Sequence, residues 1–251
     1  MSSNSKTTLF EDEEVFLNAL PRSLFFYGLL FCLFHIGPVF LTKTLWNKLQ
    51  LGDLLDLLTP AFLIGCLLWV IRRNNPMKGQ RFGNSWLLFG GMILFVEGHG
   101  MHLAANAIQR HLVSDMPAAL LRLTYFFDEQ AGHIFWDGGN LLLAGLLLNQ
   151  RRVLATRLSP SGYFQAVCGG LLYGFTFFAN AVEGQTAFMI LPAILGLLLA
   201  ELRWIKHHRQ GMFHSPIDIF FVAAAICALF FFLVWYFWQG GLPEFSKVGW
   251  I

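Results

Sequence analysis

The chain has 251 residues, 56% of them hydrophobic and 13% charged, with a formal net charge of +2. Soluble domains carry roughly a quarter charged residues, so this composition belongs in a lipid bilayer, and a nearly neutral balance excludes a nucleic-acid partner. The 27 phenylalanines and 8 tryptophans suit lipid-facing surfaces and interfacial belts.

The whole chain, 1–251, reads as a single transmembrane domain, an all-α bundle of about seven spans. Residues 1–22 form a polar N-terminal segment, acidic at Glu11, Asp12, Glu13 and Glu14. It lacks the basic stretch and short apolar core of a cleavable signal, so the first span is expected to stay in the mature protein. Apolar runs of about 17–25 residues predict helices at 23–43, 55–72, 86–109, 131–150, 163–182, 186–204 and 216–238. The second is interrupted by Pro60 and Gly65, and only Glu183-Gly184-Gln185 separates the fifth from the sixth. The longest loop, 110–130, carries apolar runs expected to form an interfacial helix. Cys32, Cys66, Cys168 and Cys227 each sit in an apolar run and read as small packing residues.

Seven spans put the N-terminus and alternate loops on one side. That side holds Lys6, Arg22, Arg72, Arg73, Lys78, Arg81, Arg151, Arg152, Arg157, Arg203, Lys206 and Arg209. The other holds Lys43, Lys48, Arg110, Arg122 and Lys247. Twelve basic residues against five is a positive-inside bias. The N-terminus is therefore expected in the cytoplasm and the C-terminus outside, in a plasma (inner) membrane.

Ionisable residues within spans are costly and usually carry function. The third span contains Glu97-Gly98-His99-Gly100-Met101-His102 followed by Asn106, and His99, His102 and Asn106 share one helical face. Glu97 lies about 200° from His99 at the usual 100° per residue, so it should face a different neighbour unless the flanking glycines distort the span. The fourth span opens with Glu129, His133, Asp137 and Asn140 on a second stripe, and the fifth ends on Tyr173, Thr176, Asn180 and Glu183. His35 lies at similar depth in the first span. These faces converge in the outer half of the bundle, facing the extracytoplasmic side.

Imidazole and carboxylate without thiolate suit zinc, copper or iron. The expected metal ligands are His99, His102 and His133, with Asp137 and Glu183 as catalytic acids or bases. Asp137 also reads as the carboxylate that orients His133, or as its helix-stabilising i, i+4 partner. Asp128 reads as a helix cap at the water interface. His111, His207, His208 and His214 read as solvated loop histidines, and 238–245 as an interfacial cap. The expected function is a metal-dependent hydrolase or oxidase acting on an apolar or lipid-like substrate drawn from the bilayer. A haem-b subunit of an electron-transfer complex, with His99 or His102 opposite His133 as axial ligands, is the first alternative. A transporter or a non-catalytic subunit of a membrane assembly is the second.

Seven spans with buried His and Asp resemble, in architecture, the seven-helix membrane hydrolases related to alkaline ceramidases and adiponectin receptors. Those families place an HxxxH pair in the last helix, and 216–238 holds no histidine. Asp128 and His133 lack the Asp-x-x-x-His spacing of the copper subunit of methane and ammonia monooxygenases. The absence of lysine from 216–238 separates the chain from retinal-binding rhodopsins. No family is assigned on these residues.

Overall fold

Inside a bilayer the backbone must satisfy its own hydrogen bonds, which leaves helices as the economical form for long apolar runs. The computed structural model describes residues 4–74, 85–112, 117–150, 158–207 and 215–250, and the side chains of these except 4–18, 85 and 204–207. It is almost wholly helical. The elements are α1 (Asn4–Phe40), a hairpin of β1 (Thr44–Trp46) and β2 (Leu49–Gln50), α2 (Leu51–Asn74) and α3 (Ser85–Gln109). There follow α4 (Ala118–Tyr125), a π-helical turn (Phe126–Gly132), α5 (His133–Asn149), α6 (Pro160–Glu183), α7 (Ala187–His207) and α8 (Pro216–Gln239).

Among the described residues, five helical segments are long and apolar enough to cross a membrane: Ala19–Phe40, Leu51–Asn74, Trp86–Gln109, Pro160–Glu183 and Pro216–Gln239. They mark the chain as a helical membrane protein. α5 alone has 17 residues, the lower limit for a crossing.

Local chemistry sets several boundaries. Ser159 caps α6 by accepting from the Gly162 amide at 3.1 Å, with Pro160 at the first helical position. α8 opens on a capping box between Ser215 and Asp218 and stops at Gly240, whose φ of 70° is left-handed. The two-residue turn Asn47-Lys48 has φ of 43° and 61°, as a tight hairpin of right-handed twist requires.

Three boundaries differ from the sequence expectation. α1 runs back to Asn4 through the polar segment 1–22. α2 begins at Leu51 and continues past Pro60, whose missing amide does not end it. The loop expected over 110–130 is shorter, because α4, the π-helical turn and α5 follow one another without a break from Ala118 to Asn149. Glycines explain how the helices approach. A Cβ at Gly170 would lie 2.2 Å from the Phe220 carbonyl oxygen, and one at Gly174 would lie 2.2 Å from that of Ala224. Gly170 and Gly174 thus form a small-xxx-small face that lets α6 touch α8 backbone to backbone. α6 is sandwiched between α8 and α1, α2 lies on α1, and α3 lies on α5.

The connections at one end of the bundle meet each other. Lys48 Nζ donates to the Arg110 carbonyl at 2.7 Å, and Arg110 pairs with Asp53. Tyr125 donates to Glu244 at 2.9 Å, and the Gln185 side chain donates to the Leu242 carbonyl at 3.0 Å. Asn74 and Gln150 meet at the opposite end, 3.1 Å apart. The polar residues singled out in the sequence lie toward the first of these ends.

Candidate functional site

α3 and α5 bring the site together because Gly98 lets them close. A Cβ at Gly98 would fall 2.3 Å from the Trp136 amide nitrogen and 2.5 Å from the Gly132 carbonyl oxygen. One at Gly139 would fall 2.6 Å from the Phe95 nitrogen. α3 is undistorted through Gly98 and Gly100, and Glu97 is exposed on its outer surface.

The hub of the site is Trp136, which the sequence did not single out. Its ring stacks on His35 at 4.8 Å, meets His99 edge-on at 4.8 Å, and lies 5.5 Å from His102 and 5.2 Å from His133. Four histidines from three helices therefore surround one buried indole. His102 and His133 also touch directly, with ring centroids 4.9 Å apart.

Three of these histidines have a carboxylate beside them. His99 Nε2 donates to the Asp56 backbone carbonyl at 2.8 Å, with the Asp56 carboxylate at 3.3 Å. His102 Nδ1 lies 2.8 Å from the Asp128 carboxylate, and His133 Nε2 lies 3.7 Å from Glu129. His35 Nδ1 donates to the Phe31 carbonyl at 2.7 Å, which places a proton on Nδ1, so that in the neutral ring Nε2 is the acceptor.

Two expectations change at this point. Asp137 does not serve His133 in either expected role; it accepts from the Thr186 hydroxyl, and Glu129 stands beside His133 instead. Asp128 is not a water-facing cap but is buried, at 3% exposure, against His102. The π-helical turn supplies the reason. Its i→i+5 pattern brings residues five apart onto one face, so Asp128 and His133 both reach His102 where an uninterrupted α-helix would separate them. A sequence has no ready signal for that turn.

Glu183 makes its hydrogen bonds to the C-terminal tail. Its carboxylate accepts from the Phe245 amide at 2.7 Å and the Ser246 amide at 3.3 Å, so it anchors the C-terminal tail over the bundle end. Trp235 receives that tail, with Phe245 at 4.6 Å and Trp250 at 5.0 Å. Burial and then the bond to Glu244 push the Tyr125 phenol up, and the bond to Glu244 raises the Lys247 ammonium. Glu183→Ala is expected to loosen the tail. Limited proteolysis in detergent should cut 240–250 several-fold faster than in the parent, with little change in melting temperature; unchanged cleavage would refute the anchoring role.

A polar cavity of about 200 Å³ lies beside the hub, bounded by His35, Asp53, Asp56, His102, Asn106, Arg110 and Trp136. Asp53 and Asp56, on a helix with no flagged polar motif, complete it. Among the described residues, no three His, Cys, Asp or Glu side chains come together as a group able to hold a metal ion. His111 is exposed, as expected of a loop histidine, while the side chains of His207, His208 and His214 lie outside the described residues. Comparison with family models, curated proteins and solved structures returns no match.

Proposed function

We infer that this chain is a membrane-embedded acid–base enzyme whose histidine–carboxylate pairs act on an apolar or lipid-like substrate, in the manner of a hydrolase. The observation that carries this reading is the His102–Asp128 pair, 2.8 Å apart, whose histidine lines the polar cavity. A carboxylate at Nδ1 orients an imidazole and supports its protonated form, leaving Nε2 to take a proton from a substrate hydroxyl or a water. His35, whose Nδ1 donates to the Phe31 carbonyl, lines the same cavity and in its neutral form offers Nε2 as an acceptor. Arg110 and Asn106 supply donors to an oxyanion or a headgroup. The chain is proposed to cross a plasma membrane seven times with its N-terminus in the cytoplasm, which the distribution of basic residues supports. The site then faces the extracytoplasmic side.

The test is turnover of a total lipid extract by the protein reconstituted in vesicles, followed by mass spectrometry. Conversion of one lipid class is expected, and His102→Gln and Asp128→Asn should each slow it by about 10²–10⁴-fold, the range for loss of general-base catalysis. Turnover that both variants retain would overturn the reading.

A metal-assisted form of the same chemistry is favoured by one observation. Both ring nitrogens of His133 lack a hydrogen-bond partner among the described residues, and its ring touches that of His102. Zinc, copper or iron held by this pair would activate a water. Element analysis of parent and His102→Ala/His133→Ala protein tests it: stoichiometric metal lost in the variant supports it, and no metal in the parent refutes it. The haem-b alternative is less favoured for His102 opposite His133, because a porphyrin needs its axial histidines apart and these two rings are in contact.

A further inference from the structure

On the far side of α5 from the polar cavity lies a second cavity, of about 670 Å³, between α5, α6, α7 and α8. This volume is typical of a site for one small ligand. Its walls are mostly apolar and stepped by small residues, among them Ala144, Ala193 and Ala224, with Tyr173, Asn149 and Glu201 as the polar members of the lining. Gly145, Gly196 and Ala200 are exposed along it, so it opens sideways from the bundle.

Just beyond the lining, toward the histidines, three polar side chains stand on two helices, α5 and α6. One turn from the lining residue Leu141 stands Asp137, one turn from Ala144 stands Asn140, and one turn from Phe177 stands Asn180. Their exposures are 0%, 2% and 8%. Asp137 Oδ1, Asn140 Nδ2 and Asn180 Nδ2 all lack a hydrogen-bond partner among the described residues. Buried polar atoms are seldom left unpaired, and each one left so asks for a partner that the protein itself does not supply.

We propose that this cavity binds a lipid alcohol, with its hydrocarbon body between α5 and α8 and its hydroxyl at Asp137, Asn140 and Asn180. The match is chemical: a hydroxyl donates once and accepts twice, answering one carboxylate acceptor and two amide donors. A hydrocarbon leaves all three unpaired. A fatty carboxylate offers only acceptors and places a second negative charge beside Asp137. The hydrocarbon end lies away from the His102–Asp128 pair; the hydroxyl end shares the α5 stripe of His133, but the site does not depend on the catalytic role of the pairs.

The probe is a hexadecanol analogue carrying a diazirine in its chain and a terminal alkyne, crosslinked to the full chain in phosphatidylcholine vesicles. Labelled peptides are expected within 141–149 and 190–201. Hexadecan-1-ol should suppress labelling at a concentration at least about tenfold lower than hexadecane or palmitate, since a site built for a hydroxyl rejects analogues that lack it. Gly145→Leu and Gly196→Leu add side chains where nothing lies within 4 Å, so they fill the cavity without striking backbone. Each should cut labelling several-fold in protein that elutes as the parent does. Asn180→Leu should keep the chain label but erase the preference for the alcohol. His102→Gln should label normally, which separates this site from the acid–base reading. Equal suppression by hexadecane, or labelling spread over outward residues such as Phe188 and Phe237, would overturn the proposal.

Discussion

Trp136→Ala is expected to lower the melting temperature of the detergent-solubilised protein by about 10 °C. The indole is 4% exposed and fills the space between four imidazoles. Truncating a buried aromatic costs about 3–5 kcal/mol, because the lost contacts are joined by the cavity left behind. In a chain of this size each kcal/mol moves the midpoint by about 2–4 °C. The cavity would also open among groups that hold one another by contact, so His35 and His133 lose the surface that orients their rings. Trp136→Phe restores much of the volume and should recover most of the loss. Thermal unfolding followed by tryptophan fluorescence or size-exclusion stability decides it, and a drop below about 3 °C for the alanine variant would show that the hub is not supporting the site.

The second large effect is expected at Gly98. In Gly98→Val the new side chain meets the Trp136 amide, the Gly132 carbonyl and the Phe135 carbonyl carbon, all within 2.9 Å of the Cβ position. These are backbone atoms and cannot rotate away, so α3 and α5 must separate. Loss of most folded protein on expression is the expected result, read as monodisperse yield. Gly100→Ala provides the matched control on the same helix, since nothing lies within 4 Å of its Cβ position. That variant should be neutral or stabilising by up to about 1 kcal/mol, the helix propensity difference between the two residues. Equal yields for Gly98→Val and the parent would mean that the two helices are not in contact at this level.

The contrast between these glycines shows where sequence reasoning ends. Both sit in one motif and look equivalent, yet one touches a neighbouring backbone and the other faces open space. The helices themselves were legible because apolar run length is a strong signal: 86–109 and 216–238 match α3 and α8 to within one residue at each end. His99, His102 and His133 were legible for a similar reason, since charge and imidazole are conspicuous in an apolar run. Their partners were not. Asp56 carries no local pattern that distinguishes it from a helix-start acid, and Asp128 becomes buried only through the π-helical turn. Trp136 was hidden among so many aromatics that a role beyond lipid contact or filling had no visible mark. The Thr186 hydroxyl, which takes Asp137 away from His133, comes from the turn between α6 and α7, 49 residues further on.

The arrangement of the helices also bears on how the chain is made. α3 and α5 are close partners in sequence as well as in space, so the histidine half of the bundle is able to assemble while the ribosome is still at work. α1 has α2 at hand early, but the glycine at position 28 meets Gly169 of α6, where its Cβ would lie 2.0 Å from a carbonyl oxygen. That face waits in lipid through the synthesis of all the helices between. Membrane insertion of these helices is therefore a staged process, in which one face of α1 is covered early by α2 while the other waits for α6, and a factor that shields that second face during the interval would act on yield without touching the finished fold.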